Sequence, residues 1–214
     1  MAVCTLTWVK LKPDASVEEG RKIWDESVIP ATKDEKGLIS SFLLVSEQQD
    51  EAMSVALWES KEAAEAIQKS GLYQEQLKKF LSLIKSVEDR KFYDVNSEIV
   101  FMRELEAKVA SMTFTKTKPD ISLEEVREVW DGSVVPAMKS QKGLVCLFLL
   151  ASEQRDEGIS FGLWESKEDS LAIQKSGLYR EQIKKFSAFI DSVESRKFYN
   201  VNSEILFVKE LEAV

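Results

Sequence analysis

The chain has 214 residues, 44% of them hydrophobic and 31% charged, and its formal net charge is −8. This composition is typical of a folded globular protein, and the length suits one large domain or two small ones. A negative protein without a basic stripe repels phosphate backbones, so we expect no nucleic-acid partner. The longest apolar run, Leu144 to Ala151, is too short to cross a membrane.

The predicted elements begin with a strand from Val3 to Lys10, where apolar residues alternate with threonines. A helix follows, because Ser16 and Glu19 form a capping-box pair ahead of apolar residues at helical spacing. Pro30 lacks the amide hydrogen that a helix interior needs, so we expect a kink or break there. Gly37 suits the C-terminal end of this helix.

Two strands and a second helical region come next. We predict strands from Leu38 to Ser46 and from Met53 to Trp58, joined by a polar hairpin turn. Ser60 caps the following helix, and a further helix is expected from Leu72 to Val87. The last strand spans Lys91 to Met102. The order is therefore β-α-β-β-α-β, which is the ferredoxin-like motif.

The same order of elements occurs twice. A shift of 106 residues aligns the sequence with itself without a gap, and 65 of the 106 aligned positions are identical. We predict repeats at residues 1–106 and 107–214, with no Gly/Pro/Ser-rich linker between them. The similarity is uneven, since 19 of the 24 positions in 57–80 are identical but only 3 of the 11 positions in 1–11.

Each predicted sheet has helices on one face only, yet the opposite face is also apolar, as at Phe42, Leu44, Val55 and Leu57. A face on the order of 400 Å² equals the largest apolar patch that a monomer normally exposes. We therefore expect the α+β class, with two ferredoxin-like repeats whose antiparallel sheets pack as one pseudo-two-fold α/β barrel. Further homo-oligomerisation stays open.

The cysteine usage and the N-terminus indicate the compartment. Cys4 and Cys146 are the only cysteines, and they face Ala110 and Ser40 when the repeats are aligned. We interpret them as core residues and not as a disulfide or a catalytic thiol. Strand-like alternation starts at the N-terminus, which predicts no signal peptide. Together these features predict a cytoplasmic protein.

Two segments, "LWESKEAAEAIQKSGLY" from Leu57 and the upstream "IPATKDEKGLISSFLL", carry a resemblance. They resemble the antibiotic-biosynthesis-monooxygenase-like family within the dimeric α/β barrel superfamily. Each half shows the resemblance once, so the chain is similar to a fused dimer. The resemblance implies a cofactor-independent monooxygenase for a small quinol- or anthrone-like aromatic molecule, whose own carbanion reduces O₂.

The chain departs from many relatives in containing no histidine. Gln68 and Tyr73 stand where such relatives carry histidines on the second helix, and haem-degrading relatives use one of these histidines as the iron ligand. Haem ligation by imidazole is therefore excluded, and no cysteine and acidic residues have zinc-ligand spacing. We expect no cofactor and no metal.

Aromatic residues that are identical in both repeats are the candidate ligand-binding residues. Tryptophan and tyrosine bind an aromatic body and stabilise its anion without histidine. The candidates are Trp24, Trp58, Tyr73, Trp130, Trp164 and Tyr179. Each has a structural alternative, because these side chains also pack in cores or anchor helix ends. We interpret Arg90 and Arg196, also duplicated, as surface or salt-bridging residues.

The last strand of each repeat supplies the candidate catalytic residues. Alternation places Asn96 and Glu98 on one strand face, and Asn202 and Glu204 repeat this arrangement. If the face lines a cavity, a desolvated carboxylate with a raised pKa becomes a proton acceptor. If the face forms the rim of the sheet, the same residues are solvated, and we favour the rim.

Three functional hypotheses stay open. The first is the oxygenase, with one pocket per half between the sheet and the helices. The second is a non-catalytic barrel that binds a small ligand or is stress-associated. The third is a structural or interaction protein whose pockets are filled by its own side chains. A cavity volume separates the third from the others, because ligand sites usually need ~300 Å³ or more.

Overall fold

The computed structural model describes residues 1–100, 106–203 and 206–207, and the side chains of 1–97 and 106–203 among them. The chain divides into two compact units. Of the described residues, the first unit contains 1–94, 199–203 and 206–207, and the second contains 95–100 and 106–198. Each unit therefore includes the end of the strand that the other repeat begins, while the repeat bounds 1–106 and 107–214 stay a prediction.

The first unit has the predicted order of strands and helices. They are β1 (Val3–Leu11), α1 (Val17–Ile23), α2 (Ile29–Thr32), β2 (Leu38–Ser46), β3 (Glu51–Trp58), α3 (Lys61–Lys69), α4 (Leu72–Lys79) and β4 (Ile84–Val100). A π-helical turn, Trp24–Val28, joins α1 to α2. The strand order is β4-β1-β3-β2, and paired strands are antiparallel. Strand β4 passes into the second unit after Asp94.

The second unit repeats this arrangement. Its elements are β5 (Val109–Thr117), α5 (Leu123–Val129), α6 (Val135–Lys139), β6 (Leu144–Ser152), β7 (Glu157–Trp164), α7 (Lys167–Lys175), α8 (Leu178–Lys185) and β8 (Ile190–Val201). A π-helical turn, Trp130–Val134, joins α5 to α6. The end of β8 and the short strand β9 (Leu206–Phe207) pair with β2 inside the first unit. The α+β class with two ferredoxin-like repeats is confirmed.

Of the kink or break expected at Pro30, the break does not occur, because the helical conformation continues from the π-helical turn into α2. The turn before Pro30 widens to a π-helix, in which the amide of Ile29 donates to Trp24 O. Pro30 then lies at the start of α2, where its missing amide hydrogen costs no intrahelical bond. The second unit repeats this solution at Trp130 and Pro136. Such π-turns are frequent at functional sites, and each one here starts at a tryptophan.

The helix expected from Leu72 to Val87 is shorter than predicted. It ends at Lys79, and β4 starts at Ile84 instead of Lys91. Ile84 and Val87 pair with Leu11 and Val9 of β1. The prediction was wrong because the free edge of β1 offers this segment a complete antiparallel partner, and that pairing outweighs the local helical pattern.

The apolar residues of both sheet faces are buried in the first unit. Phe42, Leu44, Val55 and Leu57, on the face opposite the helices, are at most 2% exposed. Cys4 and Cys146 are buried and form no disulfide, as predicted. None of the helices in the described part of the chain is long and apolar enough to cross a membrane.

Candidate functional site

A cavity lies between the sheet and the helices of each unit. The cavity of the first unit, the first pocket, has a volume of about 140 Å³. The cavity of the second unit, the second pocket, has a volume of about 110 Å³. Both are smaller than the ~300 Å³ that ligand sites usually need, so by this criterion the volumes favour the third hypothesis, in which the protein's own side chains fill the pockets. A cavity of about 150 Å³ nevertheless binds benzene, so the size suits a single aromatic ring.

The first pocket is built from the helix-facing side chains of three strands. Alternation along β1, β2 and β3 directs every second residue to this side. Among them are Thr5, Ser41, Leu43, Ser54, Ala56 and Trp58. The π-helical turn adds Trp24, and α4 adds Tyr73 and Gln76. The lining is therefore mainly apolar, with a few hydroxyl and amide groups.

The tryptophan at the start of each π-helical turn has a buried indole N–H without a partner. Trp24 is 5% exposed and lines the first pocket, and Trp130 is 3% exposed and lines the second. Within the described residues, neither Nε1 has a hydrogen-bond partner. An unpaired buried donor costs about 1–3 kcal/mol. An oxygen atom of a bound molecule would satisfy it.

Trp58 and Trp164 donate to hydroxyls at equivalent strand positions, but only Trp58 lines the pocket of its unit. Trp58 lines the first pocket, and its Nε1 donates to the hydroxyl of Thr5 at 3.3 Å. Trp164 does not line the second pocket, and its Nε1 donates to a serine hydroxyl of β5 at 2.9 Å. A Cβ at Gly162 would lie 2.7 Å from Trp164 Nε1. Ala56, the equivalent of Gly162, carries this methyl group and so keeps Trp58 out of the position that Trp164 adopts.

Tyr73 and Tyr179 each stack on an arginine. The Cζ atom of Arg90 lies 4.1 Å from the ring centroid of Tyr73, and that of Arg196 lies 4.5 Å from Tyr179. Burial lowers the pKa of both guanidinium groups, and the adjacent phenol raises it by a smaller amount. The interpretation of the two arginines as surface residues is therefore corrected, since both are half-buried.

The remaining contacts of the two arginines differ. Nη1 of each donates to a glutamine of the preceding helix pair, at 2.9 Å for Arg90 and 3.1 Å for Arg196. Nη2 of Arg196 also donates to Ser170, at 3.0 Å to Oγ and 3.3 Å to O. Ala64 replaces this serine in the first unit, and Arg90 Nε is buried without a partner among the described residues. Arg90 lines the first pocket, whereas Arg196 does not line the second.

Asn96 and Asn202 each lie in the pocket of the opposite repeat. Asn202 lines the first pocket, and its Nδ2 donates to Val17 O at 3.0 Å. Asn96 lines the second pocket, and its Nδ2 donates to Leu123 O at 3.0 Å. The structure therefore joins Trp24 with Asn202 and not with Asn96. The favoured rim interpretation is wrong for Asn96, which is 9% exposed.

The side chains of the two candidate carboxylates lie outside the described part of the structure. Glu98 lies in β4 with its side chain outside the described part, and Glu204 lies outside the described residues. The described lining of the first pocket contains no carboxylate, and that of the second contains Glu157 together with Arg155. Across the described ranges, no three Cys, Asp or Glu side chains are placed to hold a metal ion.

Sequence reasoning missed a buried glutamine in each pocket. Gln76 and Gln182 are each 7% exposed and line the two pockets. Their Oε1 atoms accept hydrogen bonds from Ser27 and Ser133, both at 3.0 Å. Their identity between the repeats was the available signal, but 65 positions share that property.

Comparisons with known proteins address the fold. No family model and no curated protein matches the chain. A provisionally named monooxygenase from Fusobacterium nucleatum is 14% identical, with a TM-score of 0.65 over 99% of this chain and 95% of the other. An anthrone oxidase-like protein is 14% identical, with a TM-score of 0.66 over 98% and 94%. A Listeria monocytogenes ferredoxin-fold protein related to antibiotic biosynthesis monooxygenases is 8% identical, with a TM-score of 0.55 over 94% and 95%.

The chain has the fold of the antibiotic-biosynthesis-monooxygenase-like proteins. The likeness extends over at least 94% of the chain in these three structures, so it includes both repeats. The predicted resemblance is confirmed at the level of the fold. At identities of 8–14%, these similarities support a monooxygenase-like fold and say nothing about a substrate.

Proposed function

We propose that the protein is an oxygenase that binds a small quinol-like aromatic molecule in its pockets and needs no cofactor. The supporting observation is the buried, unpartnered indole Nε1 of Trp24 and Trp130 in cavities of one-ring size. Apolar walls favour an aromatic body, and the indole N–H favours an oxygen atom on it. The names of the oxidase-like and monooxygenase neighbours agree with this class of reaction.

The substrate serves as its own reductant in this proposal. Loss of the hydroxyl proton gives an anion, and a ring carbon of that anion transfers electrons to O₂. The O–O bond breaks, one oxygen atom becomes a carbonyl on that carbon, and the other leaves as water with the hydroxyl proton and the ring hydrogen. Four electrons pass from the substrate to O₂, so no external reductant is required.

Polar groups of the pockets stabilise the substrate anion. The indole N–H of Trp24 donates to its oxygen, and the second hydrogen on Asn202 Nδ2 is available beside the bond to Val17 O. Preorganised donors of this kind stabilise charge that develops during the reaction. In the second pocket, Trp130 and Asn96 have the equivalent roles.

The remaining candidates complete the proposal. Trp58, Tyr73 and Tyr179 line the pockets and bind or orient the aromatic ring, whereas Trp164, expected to do the same, does not line the second pocket. Glu98 and Glu204 are the proposed proton acceptors, because alternation along β4 places Glu98 on the same strand face as Asn96 and Glu204 is its equivalent in the second repeat. Two buried cysteines that form no disulfide support a cytoplasmic location.

Oxygen uptake tests the proposal. We expect consumption above the protein-free rate with hydroquinone or methylhydroquinone, and incorporation of one atom from ¹⁸O₂ into the product. The Trp24→Phe and Trp130→Phe double variant removes both N–H donors and keeps aromatic volume, so we expect about a 10²-fold lower kcat. Consumption at the protein-free rate for single-ring quinols and for anthrones would reject the oxygenase.

Ligand binding without turnover is the second candidate. It is favoured by the described lining of the first pocket, which contains neither a carboxylate nor a histidine to accept a proton. This candidate predicts saturable binding of a quinol with no oxygen consumption. Measuring both quantities on one sample decides between the two candidates.

A further inference from the structure

We infer that the first pocket is the ligand site, and that its ligand is a hydroxylated aromatic acid whose acidic group binds Arg90. The second pocket is closed to this ligand. This inference rests on the pocket assigned in the proposed function, and it adds the chemical class of the ligand and the unit that binds it.

The first pocket has space at two positions where the second pocket has larger side chains. Thr32 and Ser41 of the first unit correspond to Met138 and Leu147 of the second. Met138 and Leu147 are buried in a single apolar cluster that contains both tryptophans of their unit. In the first unit Trp24 and Trp58 belong to separate clusters. Smaller side chains therefore leave space between Trp24 and Trp58, and both residues line the pocket.

Charge distinguishes the two pockets as well. Arg90 is the only charged residue in the described lining of the first pocket. The second pocket has Arg155 and Glu157 in its lining, so the carboxylate there offsets the charge of the arginine. An anion in the first pocket meets a half-buried cation, and charge-assisted bonds to a guanidinium are strong and often bidentate.

Arg90 has N–H groups available for a ligand because Ala64, unlike Ser170 in the second unit, has no hydroxyl to accept a hydrogen bond from it. In the second unit Ser170 accepts two bonds from Nη2 of Arg196. Arg90 lacks both bonds, and its Nε is buried without a partner among the described residues. No carboxylate in the described part of the chain forms an ion pair with Arg90. A ligand carboxylate would supply the missing acceptor.

Two further donors define the other part of the ligand. Trp24 Nε1 and Ser41 Oγ are buried in the lining of the first pocket and have no partner among the described residues. In the second unit Leu147 replaces Ser41 and offers no polar group. An oxygen substituent on the ring would pair with these donors, so the ligand class is a hydroxylated aromatic acid.

The indole N–H signals of the ¹⁵N-labelled full chain test this inference. The protein has five tryptophans, and single Trp→Phe variants assign their Nε1–H resonances. The probes are 4-hydroxybenzoate and 4-hydroxybenzamide, which have nearly the same shape and differ in charge. We expect 4-hydroxybenzoate to shift the Trp24 signal and not the Trp130 signal. We expect the amide to bind about ten- to a hundred-fold more weakly, since it lacks the charge-assisted bond.

Residue exchanges between the units provide matched variants. Ala64→Ser gives Arg90 the hydrogen-bond acceptor that Ser170 gives Arg196. The affinity for the acid should therefore fall to that for the amide, and the affinity for the amide should not change. Ser170→Ala is the control and should change neither affinity. Thr32→Met with Ser41→Leu should remove the Trp24 shift. Met138→Thr with Leu147→Ser should produce no shift at Trp130 with the acid, because Ser170 still holds Arg196 and Arg196 does not line that pocket.

Several results would overturn the inference. They are equal affinities for the acid and the amide, equal shifts at Trp24 and Trp130, or no shift at Trp24 at millimolar acid. Oxygen uptake separates this test from that of the proposed function. Selective acid binding without oxygen consumption rejects the oxygenase and keeps the inference, whereas quinol oxidation without preference for the acid does the reverse.

Discussion

The first and second pockets have the same framework but enclose different space. Both lie behind a π-helical turn that starts with a tryptophan, and both receive an asparagine whose Nδ2 donates to the first residue of a helix. They differ at Thr32, Ser41, Ala56 and Ala64, which correspond to Met138, Leu147, Gly162 and Ser170. Because interiors are densely packed, a few atoms at these positions decide where the cavity lies.

Overall similarity between the repeats does not indicate which positions matter. The segment 57–80 has 19 identities in 24 positions, yet it contains the Ala64/Ser170 difference that releases or holds an arginine. Conversely, the less similar first strands pair with their neighbours in the same way in both units. Substitutions on the first strand of a repeat leave its strand pairing unchanged. The single hydroxyl of Ser170, in contrast, changes the hydrogen bonds of an arginine.

The largest expected effect comes from exchanging the filling side chains. Met138→Thr with Leu147→Ser removes buried volume and should lower the free energy of unfolding by about 4 kcal/mol or more. The converse pair, Thr32→Met with Ser41→Leu, fills existing space and should raise it by about 1 kcal/mol. Chemical denaturation of the ligand-free chain measures both changes.

A volume-conserving pair provides the control for this comparison. Met138→Leu with Leu147→Met keeps the volume and should cost less than about 1.5 kcal/mol per site. If Thr32→Met with Ser41→Leu lowers the free energy of unfolding, no usable space lies between Trp24 and Trp58.

A smaller effect is expected from the residue beneath the second tryptophan. Gly162→Ala places a methyl group 2.7 Å from Trp164 Nε1, so the indole must move and its bond to Ser111 is lost. We expect a loss of about 1–3 kcal/mol in the free energy of unfolding. Ala56→Gly introduces no clash and should cost about 0.5–1 kcal/mol through backbone entropy. Equal losses for the two variants would show that Ala56 does not set the position of Trp58.

Local patterns explain why most of the fold was predictable. Strand β2 was predicted at the observed bounds, Leu38–Ser46, because its apolar run follows a glycine and ends at a polar turn. Ser16 and Ser60 cap their helices as the sequence suggested. The end of α4 was not predictable from a local pattern. The segment that was expected to continue this helix pairs with β1 instead, and the paired residues are more than 70 positions apart.

The site was predictable only in part. Duplication pointed to Trp24, Trp58 and Tyr73, which do line the first pocket. It also made Trp164 look equivalent to Trp58, although Gly162 lets the indole of Trp164 turn away from the second pocket. A pattern of identical residues cannot reveal that difference, because the cause is a neighbouring residue that is not identical.

The smallest effect concerns the asparagines and tests which repeat completes which pocket. Asn202→Ala and Asn96→Ala each remove one hydrogen bond to a helix carbonyl and should cost about 1 kcal/mol. Asn202 belongs to the second repeat but lines the pocket of Trp24, and its bond to Val17 joins residues 185 positions apart. Asn202→Ala should therefore shift the indole N–H signal of Trp24, and Asn96→Ala that of Trp130. The opposite assignment would mean that each repeat completes its own pocket.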